Sequence, residues 1–166
     1  MYEEVIYMAD LLVKLYELPS NVENIERLKK ENILIKRALS PDKHIVLDFI
    51  RKNFGEGWAS ECDAAFANLP VSCFIAVKDK KVVGFACYEA TCKGFFGPIG
   101  VHDSMRGYGI GKVLLIECLQ AMYNEGYGYA IIGGGTGVAD FYINTVGATI
   151  IEGSSPGIYS RMVKSD

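Results

Sequence analysis

The stretch RGYGIGK (106–112) sets three glycines at alternate positions between two cations, immediately before an apolar helical pattern. Glycine inside a helix costs roughly 1 kcal/mol relative to alanine, so three of them at a helix start need a reason outside helix propensity. The flanking residues supply one. FFGPIGVHD (95–103) reads as a strand, and from Ile110 the residues Val113, Leu114, Cys118 and Met122 share one helical face as far as about Gly126. The glycines therefore occupy a strand-to-helix corner, where the first N–H groups of the helix have no partner within it. Such a corner binds anions, because glycine lets oxygens reach the amides while the helix dipole, Arg106 and Lys112 add positive potential. The plainer alternative is a turn that only packs.

Phosphate-binding loops differ in spacing. A P-loop needs Ser or Thr after its lysine, but Val113 follows Lys112; a Rossmann loop needs GxGxxG, and this is GxGxG. A second cluster, AIIGGGTG (130–137), follows a strand, opens a helix and has Glu152 downstream, which imitates a dinucleotide site. Its frames from Gly133 and Gly135 fail at Val138 and Asp140, and the 14 residues after Glu152 are too few for a doubly wound sheet.

Outward from the corner, the two hydrophobic periods alternate. LLVKLYELP (11–19) reads as a strand, and Ser20 with Glu23 forms a capping-box signature before Val22, Ile25 and Leu28. ILIKRAL (33–39) is a second strand, with Ser40 as cap and Pro41 at the first position of the next helix. Residues 55–70 suggest a shorter helix, and 72–91 an antiparallel hairpin around a charged turn. Gly97, Pro98 and Gly100 interrupt the next strand, as happens where something lies against the backbone. YAIIGG (129–134) is a short buried strand, GVADFYINTVG (137–147) a helix, and ATII with GIYSRMV close the sheet. Sixteen of the eighteen glycines lie from Gly84 onward, so the tight turns and backbone-approach points fall in the second half.

The chain has 166 residues and a net charge of -3, which suits one domain with one core and offers no basic field for nucleic acid. No apolar run is long enough to span a bilayer, and Glu3 and Glu4 stand where a signal peptide needs positive charge, so a cytoplasmic location is expected. Five cysteines form no CxxC pair and two histidines accompany them, so no metal site is expected and the thiols read as reduced and mostly packed. A catalytic pair of Cys92 and His102 is a weaker reading, since nothing local marks either residue as activated.

Arg106 to Gly111 fits R-x-x-G-x-G, which resembles the pyrophosphate loop of the GNAT superfamily of acyl-CoA-dependent N-acyltransferases. The element order over residues 33 to 163 and the segment FYINTVGAT, similar to the family's Phe-Tyr-x-x-x-x-Gly, extend the resemblance. It implies an α/β (α+β) fold with a mixed, mostly antiparallel sheet flanked by helices, a domain at 33–166, and residues 1–32 as an added strand–helix extension packed on it. The extension can serve as a sheet edge, a homodimer contact or a cover for the acceptor site.

The implied function is transfer of an acetyl or other short acyl group from acetyl-CoA to a primary amine of a small molecule or peptide. A CoA-binding sensor without catalysis is the alternative. The family pattern assigns the main chain of Ile99 and Val101 to the pantetheine arm. Arg106, Gly107, Tyr108, Gly109, Ile110, Gly111 and Lys112 fall to the pyrophosphate, and Tyr142 to protonation of the leaving thiolate. Glu61, Glu89 or water would take the amine's proton. Two positions depart from the pattern: Asp103 stands where the family often has Pro, and Gly135 where it often has Asn.

Overall fold

A computed structural model describes residues 8–166, excepting the side chain of Thr136; Glu3, Glu4 and the rest of residues 1–7 lie outside the described part. Its seven strands are β1 (Leu11–Lys14), β2 (Ile33–Arg37), β3 (Cys73–Lys78), β4 (Lys81–Tyr88), β5 (Phe95–Val101), β6 (Tyr129–Ile132) and β7 (Thr149–Ile150). The helices are α1 (Val22–Lys30), α2 (Lys43–Phe54), α3 (Glu56–Phe66), α4 (Ile110–Asn124) and α5 (Ala139–Val146). One sheet has the order β2-β3-β4-β5-β6-β1-β7. Every neighbouring pair in it is antiparallel except β5 and β6.

Alternation along the central strands sorts the side chains onto two faces. On β3 and β4, Phe74, Ala76, Ala86 and Tyr88 join the core made by α1, α4 and α5. Cys73, Ile75, Phe85 and Cys87 join that made by α2 and α3. Asp79 and Lys80, at φ 50° and 62°, form the two-residue hairpin turn, whose positive φ angles match the twist of the strands.

The two ends of the chain depart from the sequence reading. The first strand stops at Lys14, and Leu15–Glu17 turn into a 3₁₀ helix. No capping box forms with Glu23: α1 begins after Asn21, whose amide is turned into the core and donates to Val113 O (3.0 Å) and Glu117 Oε1 (3.0 Å). GIYSRMV is not a strand, because Gly157–Arg161 form a 3₁₀ helix. The place beside β6 is taken by β1, which is itself paired on both edges, so the tail has only the two-residue edge strand β7 to follow. Gly153 and Gly157, at φ 74° and 59°, turn it away from extended geometry.

The sheet is open where it matters for a ligand. β5 and β6 are parallel and paired only at Phe95↔Ile131 and Phe96↔Ile132, after which Gly97 (φ 121°) and Pro98 carry β5 away. The gap lies between the two helical layers, so a cleft runs through the sheet itself.

Candidate functional site

The cleft begins at the β5 backbone. His102 N–H donates to Val83 O, and Gly100 pairs with Phe85. Main-chain groups alternate sides along a strand, so those of Ile99 and Val101 face away from β4, toward the side that β6 has left. Gly100 is required by space, because a Cβ there would lie 2.6 Å from the Phe54 ring.

Beyond Val101 the chain reaches the glycine corner. Gly107 and Gly109 have φ of 90° and 77°, a region that favours glycine, and α4 starts with Gly109 as its cap. Among the described residues, the N–H groups of residues 107–112 find no hydrogen-bond acceptor. A Cβ at Gly107 would meet nothing within 4 Å, so the corner is open above it. The third glycine differs: Gly111 is helical, and a Cβ there would make ordinary contacts of 3.9 Å with Phe141 and Val101.

Gly109 has a partner the sequence did not suggest. Arg27, on α1, donates from Nη1 to Tyr108 O at 2.7 Å, and its Nη2 lies 2.8 Å from where a Gly109 Cβ would stand. The missing side chain at Gly109 therefore makes room for Arg27 and not only for an approaching ligand. With the Tyr108 carbonyl held outward, the planar peptide directs Gly109 N–H the opposite way. Arg106 pairs with Asp103, Nε to Oδ1 at 3.1 Å, with both side chains well exposed.

A cavity of about 570 Å³ gathers Ile99, Val101, Arg106, Gly107, Gly109, Ile110, Gly111, Lys112 and Tyr142, together with Phe54 and Trp58 from the opposite layer. Tyr108 is not in its wall; the ring lies under Lys78 Nζ, 5.7 Å from the ring centre. Tyr142 is packed edge-on to Phe96 and tilted against Phe141. Burial pushes its hydroxyl up to about 12, so it keeps its proton at neutral pH.

A second cavity, of about 450 Å³, shares Trp58, Ile99, Val138 and Tyr142 with the first, and adds Glu61, Thr91 and Tyr159. Tyr142 thus stands where the two meet. Glu61 accepts a hydrogen bond from Thr91 Oγ1 (2.5 Å), and burial raises its pKa above the ordinary carboxylate value although that bond opposes the shift. Glu89 is elsewhere: its Oε1 accepts Gly94 N–H (2.6 Å) and closes the β4–β5 turn, and neither cavity includes it. Tyr159, from the tail, is a wall residue that no periodicity marks.

The rival sites do not assemble. In the second glycine cluster Gly134 N–H is already bound to Asp10 Oδ1 (2.7 Å), Tyr159 covers Gly133, and Leu11 fills the space at Gly135. Those glycines allow close packing. His102 is bonded through Nδ1 to the hydroxyl and N–H of Ser104, and among the described residues Cys92 is not one of its hydrogen-bond partners. The sulfurs of Cys62, Cys73 and Cys87 lie within 4.8 Å of one another, a soft donor set that the spacing did not announce. All three are fully buried in the α2–α3 core.

Fold and corner together define an open α/β protein with a split parallel strand pair leading to a helix start. The sequence matches the Acetyltransferase (GNAT) family over residues 43–142, well over half of the chain, and the chain belongs to that family. Two solved structures reach a TM-score of 0.68 with 87% of this chain covered. One is the GCN5-related N-acetyltransferase of Sphaerobacter thermophilus, 21% identical, of which 48% is covered. The other is a GCN5-related glucosamine N-acetyltransferase region of a fungal multi-domain β-N-acetylglucosaminidase, 15% identical, with 20% covered. A GNAT acetyltransferase from Colwellia psychrerythraea, 16% identical, aligns over 86% of this chain and 53% of its own at a TM-score of 0.59. The chain spans from a fifth to about half of these proteins' lengths. No curated protein sequence matches it. Among the described residues, no helix is long and apolar enough to cross a membrane.

Proposed function

We propose that the protein transfers an acetyl or other short acyl group from acetyl-CoA to a primary amine. The observation that carries this is the continuous path formed by the free main-chain side of Ile99 and Val101, the unpartnered N–H groups of 107–112, and Tyr142 at the junction of two cavities. The pantetheine arm lies along β5 as an added strand partner in the place β6 has left. The pyrophosphate sits on the N–H groups of Gly107 to Lys112, in the positive field of the α4 start, Arg106 and Lys112. This brings the thioester to Tyr142.

An ammonium group in the second cavity first loses a proton to Glu61 or water. Its nitrogen pair then forms the C–N bond at the thioester carbonyl, and an N–H of the splayed strand steadies the oxyanion. As the C–S bond breaks, the electron pair goes to sulfur, which takes the Tyr142 proton; the base, having passed its first proton to solvent, takes the second from nitrogen, and solvent returns a proton to Tyr142. The products are amide, CoA thiol and one proton.

Tyr142→Phe keeps the ring packing and removes the proton. General acid help is typically worth about a hundredfold. The turnover rate, by release of CoA thiol with an accepted amine, is expected to fall at least tenfold, while acetyl-CoA affinity by calorimetry stays within a few fold. Equal turnover would move Tyr142 to a packing role. Tight acetyl-CoA binding with no turnover of any amine would make the protein a CoA-binding module.

A further inference from the structure

The second cavity has a chemistry of its own. Among the described residues, its one carboxylate is Glu61, and no Lys, Arg or His lines it. Trp58, Phe96, Tyr142 and Tyr159 provide aromatic walls. A further carboxylate, the buried Asp10, is held beside the Gly134 turn by its bond to Gly134 N–H. The Tyr159 hydroxyl is pushed up to about 12 by burial first, and then by the nearby Glu61 and Asp10 carboxylates.

Resting on the acyl-transfer reading, we propose that this cavity selects a small primary amine on an aromatic or alkyl body and rejects amines that carry a carboxylate beside the nitrogen. The ammonium pairs with Glu61, and the body lies among Trp58, Phe96 and Tyr159, where ring faces also attract the cation. An α-amino acid would bring its own carboxylate within a few ångströms of Glu61, with no cation among the described lining residues to receive it. Like charges so close in a poorly solvated cavity repel strongly. The volume, about 450 Å³, is that of a small-molecule site.

The test is direct binding to the whole protein, measured by calorimetry with 2-phenylethylamine, phenylalanine and phenylalaninamide. The three share a ring and an amine and differ in the group beside the nitrogen. The amine and the amide are expected to bind at least tenfold more tightly than the acid. Glu61→Gln, which can still accept from Thr91, should weaken the amine at least tenfold and leave acetyl-CoA affinity unchanged. Tyr159→Ala should weaken 2-phenylethylamine more than it weakens methylamine. Phenylalanine binding as tightly as the amine, no binding of any of the three, or an unchanged affinity in Glu61→Gln would overturn the assignment. Acetyl-CoA titrated separately tells the two readings apart: amine bound with no acetyl-CoA affinity overturns acyl transfer and leaves the amine site standing.

Discussion

Gly109 and Gly111 stand two residues apart in the same corner, yet their side chains are missing for different reasons. At Gly109 the φ of 77° strains any residue with a Cβ, and that Cβ would displace the Arg27 guanidinium, whereas at Gly111 the backbone is helical and a Cβ would fit. Gly109→Val should therefore lose stability and at least tenfold in acetyl-CoA affinity together. Gly111→Ala should gain about 0.5–1 kcal/mol from helix propensity and still bind more weakly, because its methyl faces the cavity. Denaturant melts beside calorimetry separate the two; parallel losses at both positions would contradict the distinction. Glu61 supplies a pH-dependent counterpart. Burial raises its folded pKa, so the native state holds more protons than the unfolded chain between the ordinary value near 4.3 and the folded one. Stability falls as pH rises through that window and stays lowered above it. Glu61→Gln is then expected to melt higher than the parent at pH 7 and no higher below about pH 4. A lower melting temperature at pH 7 would show that the carboxylate stabilises the fold.

At the scale of elements, α1 connects the opening segment to the glycine corner through the hydrogen bond from Arg27 Nη1 to Tyr108 O. If Arg27 acts by fixing the 108–109 peptide, Arg27→Met should lower acetyl-CoA affinity three- to tenfold and the loss should persist in 1 M salt, where screening acts within about 3 Å. A purely electrostatic role would show the loss only at low salt. The arrangement also explains which elements were readable. The α4 stripe and the β3–β4 hairpin satisfy their own periods and stood in the sequence almost to the residue. The capping box is absent because α1 begins after Asn21, one residue beyond Ser20, and the Asn21 amide is drawn to two acceptors on α4, contacts that no local window contains.

The whole molecule depends on a strand from the beginning of the chain. β1 lies between β6 and β7, and Leu11, Val13 and Leu15 are buried in the α4-side core. Leu11 also packs where a Gly135 Cβ would be, beside the turn that leads to Val138 and Tyr142. Leu11→Ala should cost about 2–5 kcal/mol, read from denaturant unfolding. Removing residues 1–14 should expose the β6 edge and yield aggregated protein; a folded, monomeric truncation would show that β1 is dispensable. The sequence alone determined the period of most elements and the glycine corner with its cations, because each rests on local spacing, while Tyr142 is singled out by the resemblance of FYINTVGAT to a family segment. Tertiary structure alone decided that β1 fills the sheet beside β6, that the tail is not a strand, and that Arg27 backs the corner. It also set Glu61 apart from Glu89 and brought Tyr159 to the second cavity. Those contacts join residues far apart in the chain, 124 positions for Asp10 and Gly134, and they follow from which backbone edges and cavities remain free once the core has closed, a quantity no stretch of sequence carries.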